Sequence, residues 1–171
     1  MPEVAADRAA LQESMTFLGA IAGGLEQALG ESANDISYLA GKRLGMKLST
    51  GMPRATDLES ALDVVRQLLE DNGCLWQFEV FKPHDRAELI EVTDDGENIL
   101  LVFRDCMIRQ SLFRFGHPQK GSLCRLMYGF FAGALHNILG EDSTLDIIHA
   151  GENACLKQLT IHRARREELA S

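Results

Sequence analysis

Four cysteines are the residues of this chain best suited to chemistry, and the position of one of them is unusual. Cys124 lies near the start of an apolar, glycine-notched segment, GSLCRLMYGFFAGALHNILG, which covers residues 121–140. A thiol in such a place can be a metal ligand, a nucleophile or an inert buried side chain. The other three are Cys74, Cys106 and Cys155, and the chain has no Cys-x-x-Cys pair. The helix and strands that carry these thiols indicate which of the three roles applies.

The segment around Cys124 has the spacing of an amphipathic helix that ends at Gly140. Its apolar residues recur every three or four positions: Leu123, Leu126, Met127, Phe130, Phe131, Ala134, Leu135 and Ile138. Cys124 falls at the edge of this apolar face. The partial positive charge of a helix N-terminus stabilises a thiolate, and a ligating sulfur must be a thiolate. Cys106 closes a predicted strand and Cys155 begins another, so chain reversals could bring three thiols together.

Three amphipathic helices are predicted before residue 74. The first covers Ala5 to Leu29 and is apolar nearly all round its middle turns. The second follows Ser32, and its predicted buried stripe consists of Ile36, Leu39, Ala40, Leu44 and Leu48. In the third, Thr56 and Glu59 are predicted to form a capping box, and the helix ends at Asn72-Gly73.

Two pairs of glycines are spaced four residues apart on the predicted helices. Gly41 and Gly45 either let another helix approach the second helix closely or simply thin one of its faces. Gly129 and Gly133, on the helix that carries Cys124, would let a ligand or a partner helix come close to the backbone. Both alternatives are open for each pair.

Five strands are predicted in the second half of the chain. A meander of three covers residues 76–80, 89–92 and 99–103, with a TDDGEN turn before the third, and two short strands cover 145–149 and 155–162. Helices, strands, a helix and strands in this order predict an α+β fold. We expect a single domain over residues 1–171, with residues 1–30 as a helical N-terminal extension used in dimerisation.

Composition excludes several classes of protein. A net charge of −8 opposes binding to a phosphate backbone, so no direct nucleic-acid partner is expected. Acidic residues at Glu3, Asp7 and Glu13 do not fit a signal peptide, and the apolar stretch from Met15 to Leu25 is too short to span a bilayer. These features predict a cytoplasmic protein without membrane insertion, in which the cysteines are reduced. No phosphate loop, dinucleotide fingerprint or nucleophile elbow is present.

A series of residues with a characteristic order runs through the second half of the chain: Cys124, Gly129-Phe130, Gly133, and Gly151 to Cys155. The strand residues LLVFRDC precede this series, LDIIHAGENACLKQLTI ends it, and SYLAGKRLG lies upstream. Together these motifs resemble the 4-vinyl reductase (V4R) domain, a family also called hydrocarbon-binding. That family is structurally related to one subunit type of vesicle-tethering complexes. The resemblance covers residues 35–162.

The resemblance implies a sensor or carrier domain with a closed apolar pocket for a small hydrophobic or aromatic molecule. The helix at 121–140 also carries more large apolar side chains than one face against a small sheet requires. The residues predicted to line the pocket are Leu39, Leu44, Met127, Phe130, Phe131 and Leu135.

Many V4R domains also place Glu-x-x-Cys ahead of the Gly-x-x-x-Cys, and this chain departs from that pattern. No cysteine lies between Leu145 and Gly151, and the nearest candidate to replace the missing ligand is His149, with Glu152 as a competitor. The predicted metal set is therefore Cys106, Cys124 and Cys155 with His149 or Glu152. Such a set could hold zinc or an iron–sulfur cluster. Cys74 is outside the family signature, and inert buried thiols are the alternative.

Three functions from different classes follow from the resemblance. The first is a binding or sensor protein, without enzymatic activity, that holds a hydrophobic ligand and acts through a homodimer or another protein. The second is a scaffold or tethering protein with no ligand. The third is an accessory reductase acting on a vinyl group of a tetrapyrrole in bacteriochlorophyll synthesis, which would need an electron donor for which the chain shows no nicotinamide or flavin fingerprint. The binding protein is the preferred interpretation.

Overall fold

The computed structural model describes residues 2–74, 76–104, 106, 108, 120–151 and 154–162. Within these residues the chain forms four helices and five strands, which confirms the predicted α+β class. They are α1 (Pro2–Leu29), α2 (Ser32–Leu48), α3 (Leu58–Asp71), β1 (Phe78–Phe81), β2 (Ile90–Thr93), β3 (Gly96–Arg104), α4 (Ser122–Leu139), β4 (Asp142–Ala150) and β5 (Ala154–His162). None of the described helices is long and apolar enough to cross a membrane.

The strands form one antiparallel sheet with β3 and β5 at its centre. β5 pairs with β3 on one side and β4 on the other. β1 and β2 lie end to end along the free edge of β3, since Phe78 is opposite Phe103 and Ile90 is opposite Ile99. β4 is longer than the predicted 145–149 because its whole length pairs with β5.

The hydrophobic core lies between α4, α3 and the face of the sheet that meets α4. Alternate residues of the central strands point into it, among them Ile99, Leu101 and Phe103 of β3 and Leu159 and Ile161 of β5. The buried residues of α3 pack into the same cluster: Leu58, Ala61, Leu62, Val65, Leu68 and Leu69. α3 begins at the N-cap Asp57, whose side chain accepts a hydrogen bond from the Ser60 N–H at 2.8 Å. The predicted cap, Thr56, instead donates from its hydroxyl to Asp57, because the carboxylate is the stronger acceptor for the free helix amides.

α2 packs along α4 through four glycines, two on each helix. A β-carbon added to Gly45 would overlap the Phe130 carbonyl, and one added to Gly129 would overlap the Tyr38 carbonyl. Gly41 and Gly133 are equally close to the opposite backbone. Both glycine pairs therefore admit a partner helix, which decides between the alternatives left open by the sequence.

This close contact corrects the predicted buried stripe of α2. The buried residues of α2 are Ala33, Gly41 and Gly45, whereas Ile36, Leu39 and Leu44 are exposed. Small residues are buried because only they let the two backbones meet. The large apolar residues of α2 are left on its other faces.

We predict that Gly45→Ala lowers the free energy of unfolding by about 1–3 kcal/mol, because the added methyl must push two helix backbones apart. Gly24→Ala on α1 is the matched control, since nothing lies within 4 Å of the added carbon. The control should be neutral or gain up to about 1 kcal/mol from higher helix propensity. Urea unfolding followed by circular dichroism measures both, and equal stabilities of the two variants would contradict the close packing.

Candidate functional site

Five aromatic side chains meet between α4 and the sheet, and we call them the aromatic cluster: Trp76, Phe78, Phe103, Phe130 and Phe131. Phe131 makes edge-to-face contacts with Phe78 and Phe103, with ring centroids 5.5 and 5.6 Å apart. Trp76 meets Phe130 in the same geometry at 5.5 Å. Edge-to-face contacts place the positive ring edge on the negative ring face, so the cluster holds these side chains in defined orientations.

The structure brings together four of the six residues predicted to line an apolar pocket. Met127, Phe130, Phe131 and Leu135 are all fully buried in the core, on the side of α4 that faces α3 and the sheet. Leu39 and Leu44 are 54% and 40% exposed and lie outside that cluster. α2 turns its glycines to α4, so its leucines do not join the other four. The role of these residues in binding a ligand stays a prediction.

A buried lysine adjoins the aromatic cluster. Lys157 occupies an inward position of β5, in the row that also contains Cys155, Leu159 and Ile161, and only 2% of its surface is exposed. Its Nζ lies 4.5 Å from the ring centroid of Phe103. Among the described residues, its hydrogen-bond partner is the thioether sulfur of Met127 at 3.0 Å. A thioether is a weak acceptor, so the amine is poorly satisfied for a buried polar group.

Tyr128 provides a second buried polar group in the same region. Its ring centroid is 4.9 Å from Lys157 Nζ, and its hydroxyl is buried without a hydrogen-bond partner among the described residues. Burial raises the pKa of Tyr128 far above its ordinary value, with a further contribution from Cys124. The phenol is therefore neutral, and its hydroxyl can donate a hydrogen bond to an acceptor.

The three cysteines predicted as metal ligands all interact electrostatically with the same lysine. Cys106, Cys124 and Cys155 are all buried, and each is close enough to interact electrostatically with Lys157. Burial lowers the pKa of Lys157, and the three thiols partly oppose that effect. Burial also raises the pKa of Cys124, although Lys157 and the Lys120 amide act in the opposite direction. The thiolate expected from the helix N-terminus is thus disfavoured, because the desolvation of the charge outweighs its attraction to these groups.

A β-bulge separates His149 from the three cysteines. Ile147 is opposite Lys157, but the extra residue that follows places His149 opposite Leu156 and Ala150 opposite Cys155. His149 is consequently exposed. In an unbroken register His149 would be opposite Cys155, on the face that meets α4. Glu152, the other predicted ligand, lies outside the described residues.

The described residues do not fit a metal centre. No group of three or more His, Cys, Asp or Glu residues among them is arranged to hold an ion. Any positive charge on the nearby Lys157 amine would also oppose a bound cation. Metal binding by Cys106, Cys124 and Cys155 stays a prediction from the sequence.

The start of α4 is held in place by a residue that the sequence did not single out. Glu26 on α1 accepts hydrogen bonds from the Ser122 N–H at 2.8 Å and from the Ser122 hydroxyl at 2.6 Å. A carboxylate here satisfies a free amide and complements the positive end of the helix. α1 thereby fixes the turn of α4 that carries Cys124.

Lys157 and Tyr128 were also missed from the sequence, although a signal for the lysine was present. The strand pattern of residues 155–161 alternates Cys, Lys, Leu and Ile on one face, so a charged residue interrupts an apolar row. For Tyr128 no comparable signal exists, since a tyrosine on an apolar helix face is common.

Comparisons with known proteins give a structural relative. No family model matches the chain, and a search of curated proteins finds no match. Among solved structures, the fold resembles the phenol-responsive sensory domain of the transcription activator PoxR, solved as a crystal structure with phenol. The TM-score is 0.61 at 11% sequence identity, and the match covers 85% of this chain and 74% of that chain. At this identity the likeness shows a shared fold.

Elemental analysis of the purified protein beside Cys124→Ser tests the metal prediction. Stoichiometric zinc or iron in the wild type, lost in the variant, is the result expected from a site built on Cys124. Cys74→Ser is the matched control and should keep the metal. A folded wild type without metal would show that Cys106, Cys124 and Cys155 are core thiols.

Proposed function

We propose that this protein is a V4R-type binding domain that holds a small aromatic molecule between α4 and the sheet and acts as a sensor. The observation that carries the proposal is the aromatic cluster with two poorly satisfied polar groups, Lys157 and Tyr128, beside it. A site for a small molecule typically combines apolar and aromatic walls with a few convergent polar groups. The fold likeness to a phenol-responsive sensory domain supports the same function.

The assignment to the V4R class is supported by the roles of the residues that carry the resemblance. Gly129 and Gly133 receive α2, whose SYLAGKRLG segment is the other half of the same contact. Cys124 and Cys155 both interact electrostatically with Lys157. A scaffold needs only a well-packed core, and buried polar groups without strong partners lower the stability of such a core. The binding function therefore accounts for more of the site than the scaffold does.

Ligand titrations of the whole chain test this function. We expect phenol, toluene or indole to bind, with heat measured by calorimetry and shifts of the Trp76 indole signal measured by nuclear magnetic resonance. Phe131→Leu should weaken binding because Phe131 contacts two other rings of the aromatic cluster. Phe81→Leu, an exposed change on β1, is the control and should bind like the wild type. A folded wild type that binds none of these aromatic probes would contradict the proposal.

We further propose that the sensor is a homodimer formed through α1. Phe17 and Ile21 are 75% and 57% exposed on this helix, while Gly19 and Ala22 turn inward. Large apolar side chains left exposed on one helix favour association, and a second copy of the chain can cover them. The predicted use of residues 1–30 in dimerisation rests on this surface.

Light scattering at micromolar concentration tests the dimer. The wild type should have twice the mass of one chain, and Ile21→Glu should be monomeric because a carboxylate would be buried in the interface. Val92→Glu, at an exposed position of β2, should remain dimeric. A monomeric wild type, or an Ile21→Glu variant that stays dimeric, would contradict the α1 interface.

A further inference from the structure

We propose that the bound molecule carries an acidic oxygen, as in a phenol, and that this oxygen accepts a hydrogen bond from Lys157 Nζ. The inference rests on the proposed function and adds the chemical class of the ligand and its polar anchor. It starts from the surroundings of Nζ, which are two aromatic rings and a thioether. A purely hydrocarbon ligand would leave the amine as poorly satisfied as it is without one.

Met127 marks the position that the ligand oxygen would take. Its sulfur lies 3.0 Å from Nζ, which is hydrogen-bond distance for an acceptor far stronger than a thioether. Met is unbranched and has three rotatable side-chain bonds, so it can adopt another rotamer at small cost. An oxygen that replaces this sulfur would give the amine a full hydrogen bond without moving the backbone of α4.

Tyr128 supports the same ligand chemistry independently. Its hydroxyl is buried and has no partner among the described residues. The ring that carries it lies 4.9 Å from Nζ, so the hydroxyl and the amine belong to one buried region. An oxygen with two or more lone pairs can accept hydrogen bonds from both the Tyr128 hydroxyl and the Lys157 amine. A ligand that only donates hydrogen bonds can accept from neither.

Among the described residues, the groups near Lys157 do not include a carboxylate that could act as its counter-ion. They are Cys106 beyond β3, Cys124 and Tyr128 on α4, and Cys155 on β5. No carboxylate within the described ranges makes an ion pair with this amine. A phenolic oxygen at the position of the Met127 sulfur would take the place of such a counter-ion, because it accepts a hydrogen bond from Nζ and carries partial or full negative charge. A hydrogen bond of this kind is stronger in an apolar site than in water, and it offsets part of the cost of burying the amine.

The test uses 4-nitrophenol, whose yellow phenolate reports its own ionisation, and 4-nitrotoluene, which has the same shape without the acidic oxygen. We expect 4-nitrophenol bound to the wild type to ionise at a lower pH than 4-nitrophenol in free solution. Lys157→Met, which keeps the length of the side chain, should bind 4-nitrophenolate about 10- to 100-fold more weakly and lose the shift. Both proteins should bind 4-nitrotoluene equally. Lys47→Met, at an exposed position of α2, is the matched control and should behave like the wild type.

The outcomes separate this inference from the proposed function. If neither nitro compound binds to the folded wild type, the function itself is wrong and the inference falls with it. If 4-nitrotoluene binds but the ionisation of 4-nitrophenol is unshifted or moves to higher pH, the function stands and the role of Lys157 is refuted. The wild-type spectrum alone makes this distinction, so the test does not depend on the folding of Lys157→Met.

Discussion

The contact of α2 with α4 at four glycines is the constraint on which the rest of the structure depends. Without β-carbons at Gly45 and Gly129, two helix backbones meet directly, and no side chain of α4 can occupy that side. The large residues of α4 must therefore lie on its remaining faces, where they meet α3 and the sheet. The aromatic cluster is a consequence of this arrangement, because Phe130 and Phe131 follow the first of the α4 glycines and are turned toward Trp76, Phe78 and Phe103. The helix contact shapes the site without contributing a side chain to it.

Lys157 is the exception to the pattern of β5, whose other inward residues are apolar. Cys155, Leu159 and Ile161 are apolar at the inward positions, and a lysine among them costs stability because its charge is removed from water. Contacts with the rings of Phe103 and Tyr128 offset part of that cost. Residues that violate local rules in this way are concentrated at functional sites, where the energy they cost is recovered on binding.

Most of the fold could be predicted from the sequence, because it depends on periodicity within single elements. The helices α1, α2 and α4 end where Gly30, Leu48 and Gly140 indicate, and the strands follow the expected order. Predictions failed where the answer depends on a second element. Leu39 and Leu44 share a stripe on α2, but periodicity does not say that α4 would take the glycine face instead. The β-bulge that turns His149 away from Cys155 is a property of two paired strands, and the sequence of β4 alone does not reveal it.

The same limit applies to the chemistry of the three buried thiols. Their places at the ends of elements predicted that they lie near one another, but no cysteine pattern predicts the buried Lys157 amine that interacts electrostatically with all three. A metal ion and a charged Lys157 would both be stabilised by negative charge on these sulfurs, and two cations that share them would repel each other in an apolar interior. Burial already raises the pKa of Cys124, so a thiolate here must be stabilised by whichever cation is present. Metal binding at these thiols would therefore favour a neutral Lys157, whereas an acidic ligand oxygen would pair best with the amine when no metal is bound.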